Sequence, residues 1–225
     1  MDVEELKNRI EEQVELTSDR IKLGGRTIDW FRVAEPDKLL QLAASKDSKA
    51  DQARFDPFWS VAWRAAVGLD RYCQSLNLSG KRVLELGCGS GHAGIAAAIQ
   101  GAHVTMTDIV QLAMWVAELN AAPVTDRIRF EKLDWDSDTI DEPPFEIILG
   151  SDLVYDVSLH RPLLACAARH LAPGGMLLLS EPFRHTGDHF AAWIKSQPWE
   201  VTEHRLDLDD ARVPIRIFAC RMILS

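Results

Sequence analysis

Long apolar runs are missing from this 225-residue chain. No window approaches the roughly 18 apolar residues that a membrane-spanning helix needs. The opening MDVEELKNRIEEQ carries charges where a signal peptide has its apolar core. Cysteine is scarce. Cys73, Cys88, Cys166 and Cys220 stand far apart, without metal-ligand or redox spacing, so a disulfide scaffold is excluded and four reduced, mostly buried thiols are expected. Basic side chains are in deficit, 25 Lys and Arg against 34 Asp and Glu, for a formal net charge of −9. Nucleic-acid affinity leans on clustered Lys and Arg, so this balance argues against a nucleic-acid partner. The expectation is a monomeric cytoplasmic protein whose partner is a basic protein or a small molecule, with no membrane and no metal.

At 47% apolar and 26% charged, the composition is that of an ordinary globular chain, long enough for one α/β domain and a small extension. Residues 1–13 read as a charged helix or a loose end. VELTSDRIKLGGRTIDWFRV (14–33) reads as two strands around Gly24-Gly25, a hairpin signal. Residues 36–57 hold a short apolar helix and then a polar, mobile stretch. A helical run follows from Phe58 and is stopped by NLSGK (77–81). Strands are expected at 82–87, 102–108, 127–133, 145–152 and 176–181, most of them separated by helices, the last helix closed by APGG before Met176. A helix at 188–197 and strands at 199–206 and 213–223 complete the chain. Such alternation builds a parallel sheet through right-handed crossovers. LDLDDARVP joins the last two strands without a helix, so these pair antiparallel. The expected fold is α/β: a Rossmann-like, seven-strand, mostly parallel sheet with one antiparallel strand, helices on both faces and an N-terminal β-hairpin extension. The extension takes residues 1–57 and the main domain 58–225.

VLELGCGSGHAGIA (83–96) is the most informative stretch. Open α/β sheets bind ligands at the carboxyl ends of their strands, at the topological switch point, so the first strand-to-helix turn is the place to look. Gly87, Gly89 and Gly91 allow close approach of backbone to ligand, and the helix start offers free N–H groups. GSGHAG (89–94) matches the dinucleotide pattern G-x-G-x-x-G literally. In that pattern, however, the first glycine directly follows the strand and no acid stands two residues earlier. Glu85 before Gly87 would set a like charge near any phosphate, at high Coulombic cost. S-adenosylmethionine has no phosphate and carries a sulfonium and an ammonium, so a carboxylate at the strand tip suits it. Asp108 ends the second strand, 21 positions after Gly87. It suits the ribose hydroxyls of either cofactor, or caps the next helix. In LDWD (133–136), Asp134 suits the adenine amine with Trp135 beside the ring, or is a loop aspartate near a packed tryptophan.

The fourth strand ends in GSDLVYD (150–156), with Ser151 at its tip. An adenine or glutamine-amide methyltransferase would show Asn-Pro-Pro-aromatic here; this chain has Asp152 and Tyr155 as Asp-x-x-Tyr. With the glycine turn, Trp63 in VAWRAA, Asn120 and LDW (133–135), the chain resembles the seven-strand S-adenosylmethionine methyltransferases, and within them the family-16 protein lysine methyltransferases. DPFWSVAW (56–63) and SEPFR (180–184) look most similar to the electron-transfer-flavoprotein β-subunit lysine methyltransferase branch, from which Arg64 and Ala65-Ala66 depart. The resemblance covers about residues 56–185. It implies S-adenosyl-L-methionine held by Trp63, Glu85, Gly87, Gly89, Gly91, Asp108, Asp134, Trp135 and Ser151, and methyl transfer to a protein lysine. Asp152 would then orient the amine or pass its proton to water, and Tyr155 would hydrogen-bond its nitrogen. Trp59 and Trp63 would wall the slot, where cation–π contact holds an ammonium, and Arg184 would meet the substrate or salt-bridge at the rim.

Three other readings stay open: an N-methyltransferase of a small amine or pyridine-type molecule, a cofactor-binding protein without turnover, and an NAD-dependent oxidoreductase. Asp152 reads also as a cap for the helix starting near Val157. Trp59 and Trp63, four apart on one helical face, read also as core. His185 and His189 flank Asp188, but Gly187 breaks the helix needed to face them together, so no metal site is expected. Cys88 and His92 replace the glycines of a nucleophile elbow around Ser90, which leaves hydrolase chemistry unsupported.

Overall fold

The computed structural model describes residues 2–44, 57–61, 63–210 and 212–223. Helix α1 (Val3–Glu11) has Leu6 and Ile10 one turn apart, and both are buried, so the charged N-terminus is an ordered helix. Strands β1 (Leu16–Leu23) and β2 (Arg26–Val33) pair antiparallel and turn at Gly24 and Gly25, as the hairpin signal predicts. Helix α2 (Pro36–Ala44) follows. The polar stretch expected after it lies largely outside the described residues. The helical run expected from Phe58 is divided: a 3-10 turn spans Pro57–Ser60, and helix α3 (Arg64–Cys73) starts only after Trp63, whose backbone is extended.

The main sheet comprises β3 (Arg82–Leu86), β4 (His103–Asp108), β5 (Ile128–Lys132), β6 (Phe145–Ser151), β7 (Leu171–Glu181), β8 (Trp199–Leu206) and β9 (Ile215–Met222). Helices α4 (His92–Ile99), α5 (Gln111–Asn120), α6 (His160–His170) and α7 (His185–Ile194) connect them. The strand order is β5-β4-β3-β6-β7-β9-β8. All neighbours run parallel except β9, which is antiparallel to both β7 and β8. From β3 the chain winds outward to β4 and β5, then returns to β6 on the other side of β3. This reversal is the switch point at which open α/β sheets leave a crevice.

Alternation along the strands sorts the core into two layers. Val83, Ile147 and Leu149 share one cluster with Leu69 of α3 and Ile95 of α4. Leu84, Leu86 and Ile148 share the other with Leu163 of α6 and Phe190 of α7. A third cluster joins Leu6, Ile10 and Val33 to Val116 and Leu119 of α5. The side-chain amide of Asn120 fastens the hairpin further. Its Oδ1 accepts from the Phe31 N–H at 2.7 Å, and its Nδ2 donates to the carbonyls of Phe31 (3.0 Å) and Ser90 (3.1 Å).

Two further expectations are corrected. The APGG segment lies inside β7, where the register to β6 shifts between the Phe145–Leu171 and Ile147–Met176 pairs; this irregularity absorbs the Pro-Gly-Gly that reads as a turn. Helix α7 begins three residues earlier than expected and runs through Gly187. A side chain there would overlap the Glu181 carboxylate, so this glycine serves packing rather than breaking the helix. The four cysteines are buried and free. Among the described residues, no helix is long and apolar enough to cross a membrane.

Candidate active site

A cavity of about 360 Å³ opens at the carboxyl ends of β3, β4 and β6. The turn after β3 forms its floor. Gly87 (φ 58°) and Gly89 (φ 52°) are left-handed, a conformation costly for other residues. A Cβ on Gly87 would come within 2.8 Å of Leu153 Cδ2, and one on Gly89 within 3.1 Å of the Trp59 carbonyl oxygen. Both glycines line the cavity. Gly91 does not. Its missing side chain makes room for Ile95, Met106 and Ala117, each within 3.1 Å of where a Cβ would stand, so Gly91 packs the turn onto the core beneath.

Glu85 also departs from expectation. It shares parity with Val83, so the pleat turns it under α4 and away from the strand tip. Its Oε2 accepts the Gly94 N–H at 3.0 Å, and the absence of a side chain at Gly94 is what admits the carboxylate. It is fully buried and does not line the cavity. Burial pushes its carboxyl up to about 8, against the Gly94 hydrogen bond, which pulls it down. The folded chain therefore keeps this proton to higher pH than the unfolded chain, whose value is near 4.5, and between those values stability falls as pH rises. Glu85→Gln removes that dependence. The variant should gain thermal stability over the parent progressively from pH 5 to pH 8.5; a melting-point difference constant over that range would contradict the assignment.

Asp108 sits at the tip of β4, nearly buried. Its Oδ2 accepts from the Gly89 N–H and its Oδ1 from the Val110 N–H, both at 2.9 Å. The carboxylate thus shapes the glycine turn and opens the next helix at once, and a carboxylate's further lone pairs leave room for a ligand. Burial raises its carboxyl while these backbone donors lower it. Asp134 accepts from the Asp136 N–H at 2.9 Å, and the Trp135 carbonyl accepts from Arg169 at 2.6 Å, which fixes the loop after β5. Asp134, Trp135 and Ser151 line the cavity. Among the described residues its wall carries four aspartates, Asp108, Asp134, Asp136 and Asp152, and no lysine or arginine.

Aromatic side chains form the opposite wall. Trp59 sits in the 3-10 turn and Trp63 precedes α3, so the two share no helical face, yet both line the cavity. Trp63 Nε1 donates to the Phe58 carbonyl at 2.7 Å, and the Phe58 ring lies 6.0 Å from both Trp63 and Tyr155. Tyr155 stands at the rim, 42% exposed. Asp152 is 6% exposed with φ 57°. It is not the helix cap: Asp156 accepts the Ser158 N–H instead. One Asp152 oxygen is ion-paired with Arg184, and the other has no hydrogen-bond partner among the described residues. Burial raises the Asp152 carboxyl and the Arg184 charge opposes it. Arg184 does not line the cavity; its guanidinium lies 5.2 Å over the Trp63 ring, behind Asp152.

Phe58, Cys88, Ser90 and His92 also line the cavity, and none of them was expected there. His92 is the first residue of α4 and packs edge-on against Trp30 at 5.7 Å. Its Nε2 has no hydrogen-bond partner among the described residues, and burial pushes its imidazole down to about 4, so it is neutral at physiological pH. Only its position directly after the turn could have signalled it. His185 and His189 do face each other, Nε2 to Nε2 at 3.0 Å, because α7 is continuous; no cluster of three metal-ligand groups exists among the described residues.

A sequence profile of a family described as lysine methyltransferase matches residues 43–197. EEF1A lysine methyltransferase 3 of Mus musculus is 35% identical, the match covering 71% of this chain and 70% of that protein. The electron transfer flavoprotein beta subunit lysine methyltransferase of Danio rerio is 33% identical over 57% of this chain, which spans about half of that protein (51%). The crystal structure of the glycopeptide N-methyltransferase MtfA with S-adenosyl-L-methionine superposes with a TM-score of 0.60 at 15% identity, over 70% of this chain and 94% of that one, a likeness of fold.

Proposed function

Because this chain belongs to the lysine methyltransferase family, we propose that it moves a methyl group from S-adenosyl-L-methionine to a lysine side chain of a protein. The observation that carries this reading is the charge of the cavity wall, four aspartates with no lysine or arginine among the described residues. Such a wall repels a pyrophosphate and attracts a sulfonium, an ammonium or a lysine. Glu85 does not line the cavity, and the negative charge of this reading comes from these four aspartates instead.

The residues present fit the cofactor. Gly87 and Gly89 offer a floor that any Cβ would obstruct, and Asp108, already fixed by two backbone donors, keeps acceptor capacity for ribose hydroxyls. Asp134 and Trp135 would take the adenine, and Ser151 and Trp63 would complete the pocket. When bound, the cofactor supplies an electrophilic methyl carbon. The chain's contribution is alignment, which supplies up to roughly 7–11 kcal/mol of a barrier in favourable cases. The buried carboxylate of Asp152 would receive the substrate ammonium, and the aromatic wall of Trp59, Trp63 and Tyr155 would surround its stem. Four buried free thiols suit a reducing compartment, and we place the enzyme in the cytoplasm as a monomer.

Incubating the enzyme with labelled cofactor and a size-fractionated cell lysate tests the assignment. Label should enter protein and appear as methyl-lysine after hydrolysis. Label confined to low-mass material would replace the protein substrate with a small amine. Asp108→Ala should weaken cofactor binding by ~1.5–3 kcal/mol, roughly ten- to a hundredfold, since buried hydroxyls lose a charged acceptor. Calorimetric titration showing unchanged affinity would remove Asp108 from the site.

A further inference from the structure

We propose that Arg184 is a positioning residue for methyl transfer: it holds the Asp152 carboxylate in place and stands as a fixed positive charge beside the incoming amine, favouring that amine's neutral, nucleophilic form. This rests on the amine-acceptor reading above.

The loop between β7 and α7 is built to deliver this guanidinium. Glu181 Oε2 accepts the Arg184 N–H at 2.7 Å. Arg216 holds Glu181 from behind, its Nε 3.1 Å from Glu181 Oε1, and its guanidinium stacks 4.2 Å from the Phe183 ring. Among the described residues, only two other than glycine have a left-handed backbone, Asp152 (φ 57°) and Phe183 (φ 53°). One is the acid and the other immediately precedes the arginine that grips it. Strain of this kind persists only where the surroundings over-determine it, and it gathers at functional sites. The Arg184 guanidinium rests on Trp63, whose ring belongs to the cavity wall, so the charge sits just behind that wall. It engages one Asp152 oxygen and leaves the other without a hydrogen-bond partner among the described residues. That second oxygen is the acceptor the structure leaves for a substrate N–H.

Methyl transfer needs a lone pair on nitrogen. The N–C bond forms as the S–C bond breaks, its electron pair departing with sulfur as a neutral thioether. The ammonium proton must leave for water beforehand. A nearby like charge disfavours the protonated amine, and a guanidinium stays charged throughout the accessible pH range. The same charge opposes the upward push that burial gives the Asp152 carboxyl. Removing Arg184 therefore moves both groups in one direction: Asp152 protonates at higher pH, and the amine sheds its proton at higher pH.

Other charges surround the pair. Glu181 and Asp188 are tied to Arg216, His185 and His189 follow on α7, and Tyr155, Asp108, Asp134 and Asp136 face the cavity. All of them remain when position 184 alone is changed, so the difference between profiles reports Arg184.

The test compares the parent enzyme, Arg184→Gln and Arg184→Lys. Methyl transfer from labelled cofactor to the protein fraction of a cell lysate is followed from pH 6.5 to 9.5 at saturating cofactor, with cofactor affinity read by calorimetry. Arg184→Gln should be about tenfold slower at pH 7 and approach the parent rate toward pH 9.5, the rising limb moving up by about one unit. Arg184→Lys, which keeps the charge, should lie between, and cofactor affinity should hold in both. An equal loss at every pH, as a merely structural role gives, would overturn the proposal, and so would a profile that coincides with the parent. If the parent enzyme itself forms no methyl-lysine, the amine reading fails and takes the proposal with it.

Discussion

Asp152→Asn should lower turnover by roughly 10²–10⁴-fold, the range that positioned acid–base groups supply, while cofactor affinity changes far less. Asparagine is the informative replacement. Position 152 has a left-handed backbone, which asparagine tolerates and alanine does not, so the variant removes charge without adding strain. Asp108 and the glycine turn, to which the cofactor is assigned in the proposed function, are untouched. The amide cannot draw in a substrate ammonium as a carboxylate does, and Arg184 loses its counter-charge. Single-turnover rates and calorimetric titration separate the two effects. A kinetic loss that tracked an equal loss of cofactor affinity would make Asp152 a cofactor ligand rather than a group on the acceptor side.

Arg216→Ala should destabilise the fold by about 3–5 kcal/mol, the cost of leaving a buried charge without its partner. Arg216 and Glu181 are both nearly inaccessible, at 7% and 1% side-chain exposure. Arg216 also reaches the Asp188 carboxylate at 2.6 Å and the Gly187 carbonyl at 3.3 Å. Its loss strands the Glu181 carboxylate, and burial already raises that group's proton affinity. For a chain of this size the melting temperature should fall by roughly 6–20 °C. The double variant Glu181→Gln, Arg216→Met should recover part of the loss, because replacing both partners removes the stranded charge. A single-variant loss below about 1 kcal/mol would show that Arg216 acts as an ordinary surface cation.

Strand directions and the location of the cavity were legible because they follow from local signals. The apolar strand and the three-glycine turn mark the switch point, and LDLDDARVP, too short for a crossover, gives the antiparallel β9. Asp108, Asp134 and Asp152 were legible as cavity residues because each lies at, or one or two residues beyond, the carboxyl end of a strand that opens on the crevice. Glu85 was misread although the signal was present. Its parity with Val83 and the glycine nine residues later, Gly94, both point inward under α4. Gly187 misled for a related reason: a glycine in a helix reads as a breaker until the side chain that crowds it is known, and Glu181 lies on another element. Arg184 and Asp152 were each singled out, and a salt bridge was weighed for Arg184, but that the two pair with each other was not legible. The pair closes across 32 residues and depends on two unusual backbone angles that sequence does not display.

One amide, that of Asn120, grips the hairpin at Phe31 and the glycine turn at Ser90 together. The front of the chain is therefore coupled to the glycine turn on the cavity floor through this side chain, beside the packing of Trp30 against His92. Thermodynamic linkage is reciprocal. Whatever steadies the turn also fastens the hairpin, and a partner that pried the hairpin loose would weaken the enzyme's hold on its methyl donor from outside, without entering the cavity.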